Sequence, residues 1–366
     1  MSDVIRESKL ISRHHEIGVE VDEWCGMYVA QEYSTSADDE HAAVRSAAGL
    51  FDVSALKKIY VRGPDAFAVA NDVTTRDMHA IPAGKSAYGP TLTDQGTICD
   101  DSIEFNLGND EWLCVHGSGQ FMDRLQESAE GKNVSIEFDD DLHDISLQGP
   151  KSVDVLNPHT PIDLDALEYF HHVDTELFGR PVLISRTGYS GERGFEIFAR
   201  ADHVGEIWDQ ILGHGAPEGV MAASFACLDK IRVEAALLFY PYDMGETTSP
   251  WEVGLGWTIS QNADNYRGRD AALALRGNDK IRFAGIAVDH HEALEGDERL
   301  LLDGADVGVV NSPVYSEHLQ KSLALVHLTP EAAVVGTELT VQGNVSCAAV
   351  VEATPWHDPQ KTRTHA

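Results

Sequence analysis

"RTGYSGERGFEIFAR", residues 186–200, is the stretch on which the reading of this chain turns. Gly188, Gly191 and Gly194 fall within seven residues. Glycines spaced this way turn the backbone sharply or bring it close to something. Phe195-Glu196-Ile197-Phe198 then continues as an apolar strand broken by one carboxylate. A lone carboxylate there is costly unless a partner satisfies it. Either this is a hairpin with an exposed glutamate, or Glu196 grips a ring that offers paired N–H donors. The local pattern leaves both open.

Outward from that stretch, "RPVLIS" before it is a second apolar run, and "VGEIWDQIL" and "FACLDKIRVEAALLF" after it are helical. Nearer the N-terminus, "EHAAVRSAAGLFDVS" (40–54) reads as a helix closed by Gly49 and followed by a strand. "KKIYVRG" is a strand, "DAFAVANDVTT" and "GQFMDRLQESAEG" are helices, and "DISLQGPKSVDVL" is a strand, a Gly-Pro turn and a helix start. "ICDDSIEFNL" and "EWLCVHG" alternate around Gly108-Asn109-Asp110, a hairpin signal. From about residue 282 only short apolar runs and turns remain, which predicts an all-β, barrel-like tail after a linker at 267–280. The fold class is α+β in three domains. Residues 1–50 and 145–280 form one part, 51–144 a second unit interleaved with it, and 281–366 the tail.

Within the second unit, "TICDDSIEF" (97–105) puts Asp100 and Asp101 at the mouth of a strand. Successive residues face opposite sides of the pleat, so one carboxylate should point inward and the other outward. The plain alternative is a turn cap and a solvated charge.

The formal charge of −33, from 60 acidic and 27 basic residues, repels nucleic acid and anionic membranes. It also hints at a high-salt host, since salt screens self-repulsion. Five scattered cysteines without a CxxC signal neither disulfides nor zinc, and "MSDVIRESKL" carries no apolar leader, so a cytoplasmic protein is expected. His14-His15, His171-His172, His290-His291 and His41 beside Glu40 form no HExxH and read as solvated histidines. "EFDDDLHD" (137–144) lacks the glycine of a calcium loop and reads as acidic surface. No metal is expected. "HGSGQF" (116–121) has Met122 where a third dinucleotide-loop glycine belongs.

Taken in order, these segments resemble the folate-binding family of the glycine-cleavage T-protein, the tetrahydrofolate-dependent aminomethyltransferases and their demethylase relatives. "DEHAAVRSAAGLFDVS", "NDVTT", "GKSAY" (84–88), "GTICDDSIEF", "ISLQGP" and "TGYSGERGFEI" are similar to the family's E-H-x-A-V-R…F-D-V-S, N-D-V, G-K-x-x-Y, G-x-I-D-D, L-Q-G-P and T-G-Y-T-G-E-x-G-F/Y-E. "LDKIRVEAALLFYPYDMGETTSPWEVGLGW" (228–257) follows the family's R-D-x-x-R-L-E-A block. The resemblance implies a three-domain fold around a central cofactor channel that takes tetrahydrofolate. It implies that Asp100 is the catalytic carboxylate and that Glu196 holds the pterin, with Tyr88 and Tyr189 near the channel. Arg232 and Tyr240 would lie near the cofactor's outer part, with Trp257 in the same block.

Departures from the family concentrate on the donor side. Ala55 stands for the histidine of D-V-S-H-M, Met27 and Ala30 for Trp and Pro of G-W-x-x-P, and His116 for an asparagine. Leu228 replaces an arginine, and "NSPVYSE" keeps Ser312 and Ser316 but loses a glycine and a proline. His116, Met27 and its neighbour Tyr28 are therefore the expected donor contacts. The pattern implies a demethylase that moves a methyl group from a small sulfonium or amine, such as dimethylsulfoniopropionate or a betaine, to form 5-methyltetrahydrofolate. Such transfer is mostly positioning, with the buried carboxylate balancing the donor's cation. In an aminomethyl transfer the same carboxylate would assist proton movement. That alternative is a true T-protein, whose partner is a lipoyl carrier protein. The other is a non-catalytic folate-binding protein of iron–sulfur assembly, disfavoured because "ETTSPWEVGL" lacks the cysteine of K-G-C-Y-x-G-Q-E.

Overall fold

Alternation and turn chemistry build two sheets that meet face to face. The computed structural model describes residues 5–261, 266–344 and 346–366, so Met1–Val4 of the N-terminal stretch and Val345 of the tail lie outside the described residues. One sheet has five strands in the order Ser86–Leu92, Ile98–Gly108, Glu111–His116, Lys57–Arg62, Ser135–Phe138. Its register sets Ser102 opposite His116, Glu104 opposite Cys114 and Cys114 opposite Ile59. Asp100, Ser102, Glu104, Cys114, His116, Ile59 and Val61 therefore share one face. Helices Ala66–Val73 and Phe121–Ala129 cover it through Val69, Val73, Phe121 and Leu125. The other face carries Tyr88, Asp101, Ile103, Phe105, Val115 and Lys58.

The second sheet runs His172–Leu177, Arg180–Ser185, Gly194–Arg200, Leu142–Gln148, Gly49–Asp52, with the short Met221–Ala222 added in parallel. Ile145, Leu147, Ile184, Phe195 and Ile197 pack one face onto Val204, Ile207, Trp208 and Ile211 of helix Ala201–Gly215. Fully burying a side chain of this size contributes about 1.5–3 kcal/mol, so this layer anchors the sheet. On the opposite face, Leu183 and Phe198 meet Phe105, Leu113 and Val115 of the first sheet. Ser146 pairs with Glu196, so Asp144 and Glu196 share the side of Phe198, facing the first sheet.

The tail is a closed six-stranded barrel from Arg282–Val288 to Ser346–Glu352, filled by Ile286, Val310, Val326, Val341 and Val351. Mixed α+β architecture and the β tail agree with expectation. Four local readings do not. The stretch 267–280, read as a linker, contains helix Arg269–Leu275. Helix Phe225–Glu234 stops short of Phe239: Ala236 takes φ 52°, and the N–H groups of Ala236 and Leu237 bond back to Val233 and Arg232. That left-handed cap ends the helix and frees 237–244 as a loop. The solvated histidines are the third, in part: His15 and His291 are exposed and His171 and His290 partly so, but the other three are buried. His14 is buried between Asp52 and the Tyr33 hydroxyl, His41 beside Glu234, and His172 against Phe105. Each found a partner far away in sequence. Likewise, the supposed acidic surface 137–144 ends in buried His143 and Asp144.

Candidate functional site

Asp100 and Asp101 point to opposite faces, Asp100 fully buried and Asp101 half-buried. Asp100 is 0 % exposed. Its Oδ2 lies 2.8 Å from His116 Nδ1 and accepts at 3.0 Å from the Phe121 N–H, the first residue of a helix. Its Oδ1 accepts the Asp101 N–H at 2.9 Å. A helix N-terminus favours an anion. Gly119 passes so near that a Cβ would lie 2.4 Å from the Asp100 carboxyl carbon. Asp100 is the deeper member of the pair, but register turns it toward the helices rather than toward the ligand face on which the resemblance puts it. Asp101 takes the face that looks across to the second sheet. There the Tyr88 hydroxyl donates to its Oδ2 at 3.0 Å. Burial, then the charge of Asp100, pushes the Asp101 carboxyl up to about 7.

Three of the expected tyrosines gather at this end. Tyr88 is raised well above the ordinary phenol range by burial and the charge of Asp101. Tyr189 is raised likewise, chiefly by burial, and its hydroxyl donates to the Leu237 and Leu238 carbonyls of the freed loop. Tyr240 is pushed up to about 12 by burial and then by Asp100. Trp257, 65 % exposed, stacks on Tyr88 with centroids 6.5 Å apart and lies under Arg76. Arg232 is different: it is buried and spent on Asp229, Asp243, Ser312 and the Leu237 carbonyl. It fixes the loop and leaves no free fork for a ligand.

On the facing sheet Glu196 accepts from the Thr187 hydroxyl, and burial raises its pKa. Asp144, on the same face, is raised further by burial and by the charge of Glu196. Burial lowers Lys58, which donates to the Ser54 and Leu56 carbonyls, to about 8. Burial therefore drives Asp144 and Lys58 toward their neutral forms.

At the donor-side positions, Met27 sits in a small apolar cluster with Val29, Ala55, Trp24, Cys25 and Phe225. Trp24 borders Gly117, the residue after His116. Tyr28 alternates to the other side of strand Met27–Glu32 and is half-buried. The His116 side chain is 0 % exposed, and its Nε2 has no hydrogen-bond partner among the described residues. Sequence reading missed Glu104, Lys58, Asp144 and Thr187. The alternation of Asp100, Ser102 and Glu104, and of Lys58 and Tyr60 against Ile59 and Val61, already carried the first two. Glu104, held by Ser102, is pushed up to about 8 by burial. No cluster of His, Cys, Asp or Glu able to hold a metal ion occurs among the described residues, and no described helix is long and apolar enough to cross a membrane.

Residues 10–263 match the GCVT N-terminal domain, and 282–358 match the glycine cleavage T-protein C-terminal barrel domain. The chain is 41% identical, over 377 aligned positions and 100% of both proteins, to the heme-dependent oxidative N-demethylase gamma subunit of Ectopseudomonas mendocina. It is 30% identical to the aminomethyltransferase of Moorella thermoacetica, over 98% of this chain and 99% of that one. The trimethylamine-oxide aldolase of Ruegeria pomeroyi is 30% identical over 93% of this chain, which spans 46% of that protein. The crystal structure of aminomethyltransferase T from Bartonella henselae has the same fold, with a TM-score of 0.90 at 23% identity over 97% of this chain and 99% of that one.

Proposed function

The chain belongs to the glycine-cleavage T-protein family, and on that premise we propose that it passes a one-carbon unit from a small methylated amine to tetrahydrofolate. The carbon travels at the formaldehyde oxidation level and leaves as 5,10-methylenetetrahydrofolate, and the chain works as one subunit of an N-demethylating assembly. An amine is favoured over a sulfonium because the relative matched along its whole length is named an N-demethylase, and a second is named for trimethylamine oxide. The word "oxidative" in the first name favours an oxidised carbon over direct methyl displacement. A true T-protein docked on an acidic carrier is disfavoured by a surface with 60 acidic and 27 basic residues.

The observation that carries the reading is a pair of carboxylates on facing sheets, the buried Glu196 and the half-buried Asp101, both with raised pKa. Each accepts a hydroxyl, from Thr187 and Tyr88. A carboxylate has about four acceptor sites, so Glu196 has capacity left for the paired N–H groups of a pterin. Bound tetrahydrofolate would supply the amine nitrogens that receive the carbon. Glu196 would orient the ring, Tyr88, Tyr189 and Tyr240 would wall the reacting end, and Asp101 would hold a proton there near neutral pH. Asp100, under the helix, would act through Asp101 and His116 rather than touch the ligand.

Glu196→Ala should weaken tetrahydrofolate binding by about 1.5–3 kcal/mol, the range for hydrogen bonds to a charged group. Unchanged affinity by calorimetry would remove Glu196 from the site.

A further inference from the structure

Beyond the last barrel strand, Ser346–Glu352, the chain turns back onto the unit that carries Glu196. The N–H groups of Trp356 and His357 both donate to the Glu234 carbonyl, at 3.0 and 2.9 Å. Asp358 then accepts the N–H groups of Thr362, Arg363 and Thr364 at 2.8, 2.8 and 3.1 Å, which closes 358–364 into a self-held turn. That turn is bonded outward as well. Arg363 Nε donates to Glu192 Oε2 at 2.7 Å, and its Nη2 to the Arg45 carbonyl at 2.9 Å. The Thr364 hydroxyl donates to the Gly191 carbonyl at 3.0 Å, and Arg186 Nη2 donates to the Thr364 carbonyl at 3.2 Å. The contacts converge on the two ends of the stretch 186–192.

Residues 186–193 form neither helix nor strand, so no ladder fixes this loop and side chains must. Glu192 gathers them. Its side chain is 1 % exposed, with His357 Nε2 at 2.7 Å and Arg45 Nη1 at 3.2 Å from Oε1, and Arg363 on Oε2. Burial would raise this carboxyl, but the bonds from His357 and Arg363 and the charge of Arg45 outweigh it and leave the pKa lowered. Gly191, at φ 74°, lets the loop run close to its neighbours: a Cβ there would lie 2.8 Å from Ala235 and 3.5 Å from the His357 ring. The same loop presents two groups at the proposed ligand site. The Thr187 hydroxyl donates to Glu196, and the Tyr189 hydroxyl donates to the Leu238 carbonyl.

We infer that Arg363, clamped on Glu192, is a positioning residue for tetrahydrofolate binding; the inference rests on the function proposed above. In this role neither Arg363 nor Glu192 touches the ligand. They hold the loop so that Thr187, Tyr189 and Glu196 stand in place before the ligand arrives, which removes an ordering cost from binding. Released from the clamp, the loop keeps its chain connection to Glu196 but loses the direction of Thr187 and Tyr189. The clamp continues directly from a barrel strand, so it also ties the barrel to the ligand site. A residue that served overall stability alone would loosen the whole unit. The clamp loosens one loop and the ligand that the loop holds.

The test uses the full-length chain, calorimetry with tetrahydrofolate, and amide hydrogen exchange read by mass spectrometry. Arg363 suits it because its side chain is 41 % exposed and lies outside the core. Arg363→Ala should raise the tetrahydrofolate Kd about 5–30-fold, the cost of ordering one or two side chains and their loop on binding. Exchange should quicken at least about tenfold in peptides covering 186–194 and stay unchanged in the barrel strands. Arg363→Lys, which keeps a charge beside Glu192, should recover most of the affinity. If Arg363→Ala does not fold, Thr364→Val, which removes the hydroxyl bond to Gly191, should raise Kd at least about threefold with the same local exchange. A wild-type chain that binds tetrahydrofolate while the folded variant keeps Kd within about twofold overturns the inference and leaves the function standing. Exchange that quickens evenly along the chain overturns it too, because it would mark Arg363 as a general stabiliser. A wild-type chain that binds no tetrahydrofolate overturns the function itself.

Discussion

Replacing Asp101 by asparagine should stabilise the protein increasingly as pH rises from about 4 to 7, and by a constant amount above that. Asp101 has its carboxyl pushed up to about 7 by burial and the neighbouring charge of Asp100, from an ordinary value of 3.8. The native state therefore keeps this proton between about pH 4 and 7 while the unfolded chain releases it. Its contribution to stability is fully present below about pH 4 and lost as pH rises through 7. Three pH units at 1.36 kcal/mol each set an upper limit of about 4 kcal/mol. Asp101 is partly exposed, and solvent screening brings the expected figure nearer 2 kcal/mol. Asparagine is neutral throughout, and its amide oxygen can still accept the Tyr88 hydroxyl. The melting temperatures of Asp101→Asn and wild type should therefore coincide at pH 4 and diverge by roughly 3–5 °C at pH 8, the variant being the more stable. Scanning calorimetry of both proteins at half-unit pH steps measures this. Glu104, Asp144 and Glu196 are present in both proteins, so the difference isolates Asp101. A constant gap across the range would show that Asp101 is an ordinary surface carboxylate and remove the electrostatic basis for its role. Activity should fall in the same variant, the trade-off expected of a strained functional group.

Two further substitutions probe how the site is held. Gly119→Ala drives a Cβ to 2.4 Å from both the Asp100 carboxyl carbon and the Cys99 carbonyl oxygen; it should cost about 1–3 kcal/mol by overpacking and cut turnover, both readable from urea unfolding and initial rates. Arg45 bridges Glu234 at 2.6 Å and Glu192 at 3.2 Å in a fully buried network; Arg45→Ala should cost about 3–5 kcal/mol because it strands those charges, and a melting temperature that hardly moves would refute that.

How much was legible depends on the range of the interaction. Period-2 runs and turn residues within ten positions carried the strands, the Gly108–Asp110 hairpin and the all-β tail. Alternation also separated Asp100 from Asp101. Which face bordered the helices could not be read, because that depends on how Phe121–Ala129 docks, and the resemblance favoured Asp100 for contact with the ligand. His14, His41 and Lys58 were unreadable for the same reason: Asp52, Glu234 and Asp144, which decide their surroundings, lie 38, 193 and 86 positions away. Arg232 was found by its motif, but its saturation by Asp229, Asp243 and Ser312 is a property of the folded loop. The left-handed cap at Ala236 was hidden because alanine rarely adopts that conformation.

The central claim is that carbon reaches tetrahydrofolate as formaldehyde rather than as a methyl group. It is tested most directly by incubating the full-length chain with tetrahydrofolate and, in separate reactions, isotopically labelled formaldehyde, trimethylated ammonium donors and dimethylsulfoniopropionate, and weighing the folate product by mass spectrometry. The account predicts labelled 5,10-methylenetetrahydrofolate from formaldehyde, faster than the uncatalysed condensation, and no product from the intact methyl donors. Labelled 5-methyltetrahydrofolate formed from a methyl donor without any oxidant would contradict it.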